Sequence, residues 1–305
     1  MKSYLNFRSF SRGRIIRLSI MLVFMGLLVL FAAATAKLLH QRSNPNLVFM
    51  NMLENNFRTV SVTRSSDQAT GDQNVSQKTQ LITGDLPTAK GRTVLLSTGE
   101  VTARVVTENL GTPYADYVRY TDIDTNQTNA QGQQVDYSAV VGTWGVSEQE
   151  GQPGVTGELY NEMTLGLIPF ANLDYESRAK VMDTIREHGV YNIVGDTQKV
   201  ERQGRPAYQY RVSVEPAAYI ELLITLGQEM GLAQLADLDS EAYREAQPLE
   251  FTLTADIVSQ RLVTIAYEDG RVERYGSYGV KSHIVPPEDT IPIQELQMRI
   301  QSTMQ

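Results

Sequence analysis

One uninterrupted apolar run dominates the N-terminal part of the chain. Leu18 to Ala36 contains nineteen residues and no charged side chain. As a helix with a rise of about 1.5 Å per residue, it is long enough to cross the hydrocarbon core of a bilayer. A cleaved signal peptide is the competing interpretation, because Ala34-Thr35-Ala36 fits a small-x-small cleavage site. The run exceeds the usual apolar core of such peptides, so we predict a retained transmembrane signal anchor over 18–39.

The charges around this run predict its orientation. Seven of the 27 basic residues lie in the first 42 positions, mostly before the run, and none of the 35 acidic residues does. The positive-inside rule therefore places the basic segment 1–17 in the cytoplasm. The sequence predicts a single-pass protein of the cell membrane, in which a linker at 40–46 leads to an extracytoplasmic domain.

Beyond the linker, the apolar spacing is first helical and then alternates. Leu47 to Phe57 has the spacing of a short amphipathic helix. Alternation then predicts strands at 60–62, 93–96 and 101–105 as a hairpin, 114–120, 135–146, 194–202, 207–214, 249–255, 263–267 and 272–280. Asp269-Gly270 is a strong hairpin signal between the last two.

Two further helices are predicted from their end signals. Asp174 can cap a helix that runs to His188, where Gly189 is the stop signal. Pro216 suits the first turn of a second helix, in which Tyr219, Leu222, Leu223, Leu226 and Met230 line one side. The tail at 286–305 is extended and closes with a short helix.

This order of elements predicts an α+β fold. After the transmembrane helix, we expect a large curved antiparallel sheet over 47–285, with helices packed on one face. Gln198 to Val214, the Pro216 helix, Leu249 to Tyr267 and Gly270 to Val280 run in the order strand, strand, helix, strand, strand. In this order the second half resembles the LolA-like lipoprotein carriers and the related mycobacterial lipoprotein family. The resemblance implies that the sheet forms an incomplete barrel with the helices on its concave face.

The resemblance implies an apolar cavity between the sheet and the helices, and it carries over no individual functional residue. The chain departs from those families because it has no cysteine for lipidation. The predicted uncleaved anchor is a second departure, and together they argue against a freely diffusing shuttle.

Composition excludes several functional classes. Without cysteine there is no disulfide, thiolate metal site or cysteine nucleophile. The part of the chain after position 42 has a strongly negative net charge, and no stripe of basic residues offsets it. We therefore expect no binding to nucleic acid.

No catalytic pattern emerges from the remaining residues. The sequence contains neither a G-x-S-x-G elbow nor a phosphate-binding glycine motif. Asp122, Asp124 and Asn126 resemble the start of a calcium loop, but Gln127 and Gln133 replace its glycine and its bidentate glutamate. We therefore predict a protein that is not an enzyme and that needs no cofactor or metal.

Large apolar side chains are the candidate ligand contacts. The predicted set is Trp144, Tyr210, Tyr219, Leu222, Leu223, Leu226, Met230 and Phe251. We predict that the outer domain uses them to bind an apolar ligand from the membrane, either a lipid or the acyl chain of a lipoprotein. In the alternative, these residues simply fill a packed core, and the chain is an anchored scaffold or protein-interaction module of the envelope.

Overall fold

A computed structural model describes residues 12–83, 87–129, 131–148, 157–232, 235, 237–280 and 282–304. Most of the predicted cytoplasmic segment, positions 1–11, lies outside them. The chain divides into two compact units, Met1–Val48 and Phe49–Gln305.

The first unit is helical where it is described. Helix α1 spans Arg12–Ser43, and α2 (Pro45–Asn56) begins in this unit. Asn44 separates them, because its side chain accepts hydrogen bonds from the N–H groups of Asn46 and Leu47. The segment predicted as a linker, 40–46, is therefore largely helical.

The membrane anchor predicted at 18–39 falls within helix α1. Among the described residues, no helix is both long and apolar enough to cross a membrane. The transmembrane helix predicted at 18–39 is therefore not supported.

In its described residues, the second unit is built on one sheet of thirteen strands. The strands are β1 (Ser61–Thr70), β2 (Gln73–Ile82), β3 (Thr88–Thr98), β4 (Thr102–Gly111), β5 (Ala115–Thr125), β6 (Trp144–Glu148), β7 (Tyr191–Ile193), β8 (Gln198–Arg202), β9 (Arg205–Val214), β10 (Leu249–Asp256), β11 (Leu262–Tyr267), β12 (Val272–Gly276) and β13 (Thr290–Pro292). The helices are the end of α2, α3 (Glu158–Thr164), α4 (Tyr175–His188), α5 (Pro216–Met230) and α6 (Ile293–Thr303).

The strands follow the order β13-β6-β5-β4-β3-β2-β1-β12-β11-β10-β9-β7, with β8 paired to β9 outside this path. Among the described strands, all pairs are antiparallel except β13 with β6. The predicted mixed α+β class, with a large open curved sheet and helices, is confirmed.

Cross-strand register defines the two faces of the sheet, because paired residues point to the same side. One of them, which we call the helical face, carries from β9 to β5 the residues Tyr210, Leu253, Ile265, Glu273, Ser66, Gln77, Thr93, Thr107 and Tyr120.

Contacts with this face are made by α2, α3 and α6, the last two over glycines of the sheet. The ring of Phe49 in α2 lies 5.3 Å from the ring of Tyr210. A Cβ atom at Gly111 would lie 2.9 Å from Leu159 of α3, and one at Gly145 would lie 2.8 Å from Leu296 of α6. The missing side chains let α3 and α6 approach the strands closely.

The predicted helix ends are confirmed by their geometry. Asp174 accepts a hydrogen bond of 2.9 Å from the N–H of Ser177 at the start of α4. Gly189 ends that helix with a φ of 60°, a left-handed conformation that suits glycine. Pro216 occupies the first turn of α5, where a missing N–H costs nothing.

The structure differs from the predicted strands in several places. Strands β2, β7 and β13 were not predicted, and β8 begins at Gln198 rather than at Val194. The short helix predicted at the end of the tail is present as α6. Within 135–146, only Trp144 onward is strand, although Val135, Tyr137 and Val140 are buried. A buried loop therefore reproduces the alternation of a strand without pairing as one.

Candidate functional site

A cleft of about 420 Å³ opens on the helical face, with residues of β2, β4, β5, β6, α3 and α6 around it. Its apolar side chains are those of Val118, Leu159 and Ile293, whereas Leu110 and Tyr117 border it from strand positions whose side chains point to the opposite face. Its polar lining comes from Gln77, Asn109, Asp116, Ser147, Glu158 and Glu162. This size lies within the range of ligand-binding pockets.

Asp116 fixes the start of α3 at the edge of this cleft. Its carboxylate accepts hydrogen bonds from the N–H groups of Gly157 at 2.6 Å, Glu158 at 2.8 Å and Leu159 at 3.3 Å. These are donors that a helix start leaves without an intrahelical acceptor. A residue of β5 thus caps a helix more than forty positions later in the chain. The carboxylate of Asp116 is occupied by these backbone hydrogen bonds.

A buried arginine fixes the other end of α3. The side chain of Arg64 in β1 is 6% exposed and pairs with Glu162 of α3, while Glu273 of β12 lies 3.7 Å away. Burial alone would lower the pKa of Arg64, but Glu162, Tyr275 and Glu273 raise it overall. Arg64 therefore stays charged, and α3 is tied to the centre of the sheet.

An apolar row continues the helical face beside the cleft. Val75, Leu95, Val105 and Ile123 are paired in sequence across β2, β3, β4 and β5. All four side chains are half-buried. Val75 is two residues from Gln77, which lines the cleft, so the row and the cleft are neighbours on one face.

The structure places four of the eight predicted ligand contacts in the buried core. Tyr210, Leu222 and Leu226 have no exposed surface, and Phe251 is 3% exposed. Tyr219, Leu223 and Met230 are half-buried on α5. The cleft described above is lined by other residues, and the ligand role of this set stays a prediction.

Tyr219 is held in place by its hydroxyl group. It donates to the carbonyl oxygens of Leu165 at 3.0 Å and Gly166 at 2.7 Å. Burial raises the pKa of Tyr219 above its usual range. This side chain serves to attach α5 to the segment after α3.

Trp144 is not brought together with the others. Its neighbour Gly145 pairs with Val118 on the helical face, so Trp144 points to the opposite face of the sheet. There its ring lies 4.6 Å from the guanidinium of Arg119, which pairs with Glu108.

No group of three or more histidine, cysteine, aspartate or glutamate side chains that could hold a metal occurs among the described residues. Sequence reasoning missed the apolar row, because β2 was not recognised. The sequence signal for β2 is weak: Val75 and Leu81 occupy alternating positions in a stretch that is otherwise mostly polar.

Comparison with known proteins gives a remote similarity. No protein-family model matches the chain, and no curated protein matches it. Among solved structures, LprF from Mycobacterium bovis is similar with 15% identity and a TM-score of 0.35, over 78% of this chain and 96% of LprF. At that TM-score, the site must be understood from this chain's own residues, and membership of a LolA-like family stays a prediction.

Proposed function

We propose that the Phe49–Gln305 unit is a non-catalytic binding domain for an apolar chain, such as the acyl chain of a lipid or lipoprotein. The observation that carries this proposal is the half-buried row of Val75, Leu95, Val105 and Ile123 beside the 420 Å³ cleft. Each methylene group buried there would contribute about 0.8 kcal/mol, so binding needs no metal and no titrating residue.

The placement of α3 supports this proposal. Asp116 and Arg64 hold the helix at both ends, while Leu159 lies over Gly91 and Gly111 of the sheet. One wall of the cleft is therefore fixed before any ligand arrives. A preformed wall lowers the entropic cost of binding.

Native mass spectrometry of the full-length chain, combined with lipid extraction, tests the proposal. We expect a bound species whose mass is that of a lipid, or uptake of lipid from vesicles. A chain that carries no lipid and takes up none would contradict it. That result would favour the alternative, an envelope scaffold with a packed core.

We also propose that this unit works outside the cytoplasm, at the cell membrane. The basic residues before Leu18 and the acidic remainder of the chain support this location. Protease added to intact cells would then digest the unit, while the chain would stay in the membrane fraction after a carbonate wash. Protection from external protease would contradict the location.

A further inference from the structure

Two adjoining clefts lie at the end of the sheet where the β8–β9 and β10–β11 turns meet the residues after β12 and before β1. Their volumes are about 300 Å³ and 130 Å³, and both are lined by Ser259, Arg261 and Tyr278. Four arginines contribute to the lining: Arg58, Arg202, Arg205 and Arg261. We call this region the arginine cleft.

One carboxylate, Asp256, is present among the residues that line the arginine cleft. It is committed to its own surroundings, because it accepts hydrogen bonds from the N–H groups of Val258 at 3.0 Å and Ser259 at 2.6 Å. It also pairs with Arg205, whose Nε atom lies 3.0 Å away. Asp256 therefore neutralises one arginine and fixes the β10–β11 turn.

The other three arginines keep their charge available. In the described part of the chain, no carboxylate forms an ion pair with Arg58, Arg202 or Arg261 within 4.0 Å. The guanidinium of Arg261 lies 4.8 Å from the centre of the Tyr278 ring. A cation–π contact of this kind restrains the guanidinium while its N–H donors stay free for a ligand. In a chain with a formal charge of −8, this concentration of positive charge is local and specific.

The backbone around the arginine cleft is unusual as well. The three non-glycine residues with a positive φ in the described part are Gln203 (53°), Gln260 (51°) and Ser277 (50°). Gln203 and Ser277 line the cleft, and Gln260 lies between Ser259 and Arg261, which do. The two-residue β8–β9 hairpin turn accounts for the conformation of Gln203, because such turns require a positive φ. The left-handed conformations of Gln260 and Ser277 cost energy in non-glycine residues, and such residues cluster at ligand-binding sites.

We propose that the arginine cleft binds a phosphoryl group, carried either by a soluble phosphate ester or by a lipid headgroup. Three unpaired guanidinium groups match the charge and the many acceptor oxygens of a phosphate better than those of a single carboxylate. The volume of the two clefts also leaves room for the organic part of the ligand. This proposal does not depend on acyl-chain binding beside α3.

The test is titration of inorganic phosphate and of glycerol 3-phosphate into the full-length chain, with co-sedimentation on phosphatidic acid vesicles and on phosphatidylcholine vesicles as a second arm. We expect saturable binding of at least one phosphoryl probe, weakened by added salt. Arg261→Gln and Arg202→Gln should each weaken it about tenfold, because each removes charge-assisted hydrogen bonds.

Arg92→Gln is the matched control, because Arg92 is an exposed arginine on β3, away from the cleft. Arg202 lies exposed beside the β8–β9 turn, so its variant remains informative if Arg261→Gln unfolds the chain. Binding of glycerol 3-phosphate alone assigns a soluble ester, and binding to phosphatidic acid vesicles that is lost in Arg202→Gln assigns a lipid headgroup. Absence of binding to every probe, or an equal loss in Arg92→Gln, would overturn the proposal.

Discussion

Leu95 and Val105 lie directly opposite each other on β3 and β4, and both point to the helical face. Leu96, the next residue along β3, points to the other face and is 39% exposed. Two adjacent leucines of one strand are thus separated by the sheet. This relationship provides a matched pair of positions, since only Leu95 belongs to the apolar row beside the cleft.

The close approach of α3 to β4 depends on Gly111. We expect Gly111→Ala to lower the free energy of unfolding by about 1–3 kcal/mol, because the new methyl group would press on Leu159 and on the backbone of Tyr160. Chemical denaturation measures the loss. Gly276→Ala is the control, since a Cβ atom there meets nothing within 4 Å. Equal losses in both variants would contradict the packing described.

We expect Asp116 to stabilise the start of α3 and not to pair with a charged ligand. Asp116→Ala leaves the N–H groups of Gly157, Glu158 and Leu159 without their acceptor. We expect a loss of about 0.5–2 kcal/mol and faster hydrogen exchange in α3. Asp124→Ala, at an exposed position of β5, should leave α3 unchanged. Unaltered exchange in the Asp116 variant would show that the cap is unimportant.

Asp174 at the start of α4 should make the stability of the chain depend on pH in the acid range. The N–H of Ser177 lowers the pKa of Asp174 in the folded chain. The cap therefore contributes fully above the ordinary aspartate pKa of about 3.9, and its contribution is lost as the pH falls through the lowered folded value. Thermal melts should show that Asp174→Ala destabilises at neutral pH and that the difference shrinks below about pH 4. Asp174→Asn, which caps without a charge, should show a smaller pH dependence.

Two neighbouring leucines of α5 differ in burial, so their substitutions should differ in their effect on stability. Leu222 has no exposed surface, whereas Leu223 is half-buried. We expect Leu222→Ala to cost about 2–5 kcal/mol of unfolding free energy, and Leu223→Ala clearly less. If Leu223→Glu abolished lipid retention in a folded chain, the ligand role predicted for α5 from the sequence would gain support.

Local signals in the sequence predicted local structure well. Asp174, Gly189 and Pro216 marked helix ends because capping depends on residues within one turn. Asp269-Gly270 marked the β11–β12 hairpin for the same reason. Strand β2 was not predicted because its first six residues, Gln73–Lys78, contain a single apolar side chain and so show no clear alternation.

Long-range placement could not be derived in this way. The face on which Trp144 lies is fixed only by the register of β6 on β5, and a shift of one residue would reverse it. The arginine cleft unites positions 58, 202, 205 and 261, which no local pattern connects. Both features depend on the order of strands in the sheet rather than on their sequences.

Uptake of a labelled lipid from vesicles by the full-length chain, compared between Leu95→Glu and Leu96→Glu, tests the central claim most directly. We expect the unaltered chain and Leu96→Glu to take up lipid, and Leu95→Glu to take up little, because a carboxylate on the apolar row would have to lose its hydration when a chain binds. Circular dichroism would establish that both variants are folded. Equal uptake by the two folded variants, or none by the unaltered chain, would contradict acyl-chain binding on the helical face.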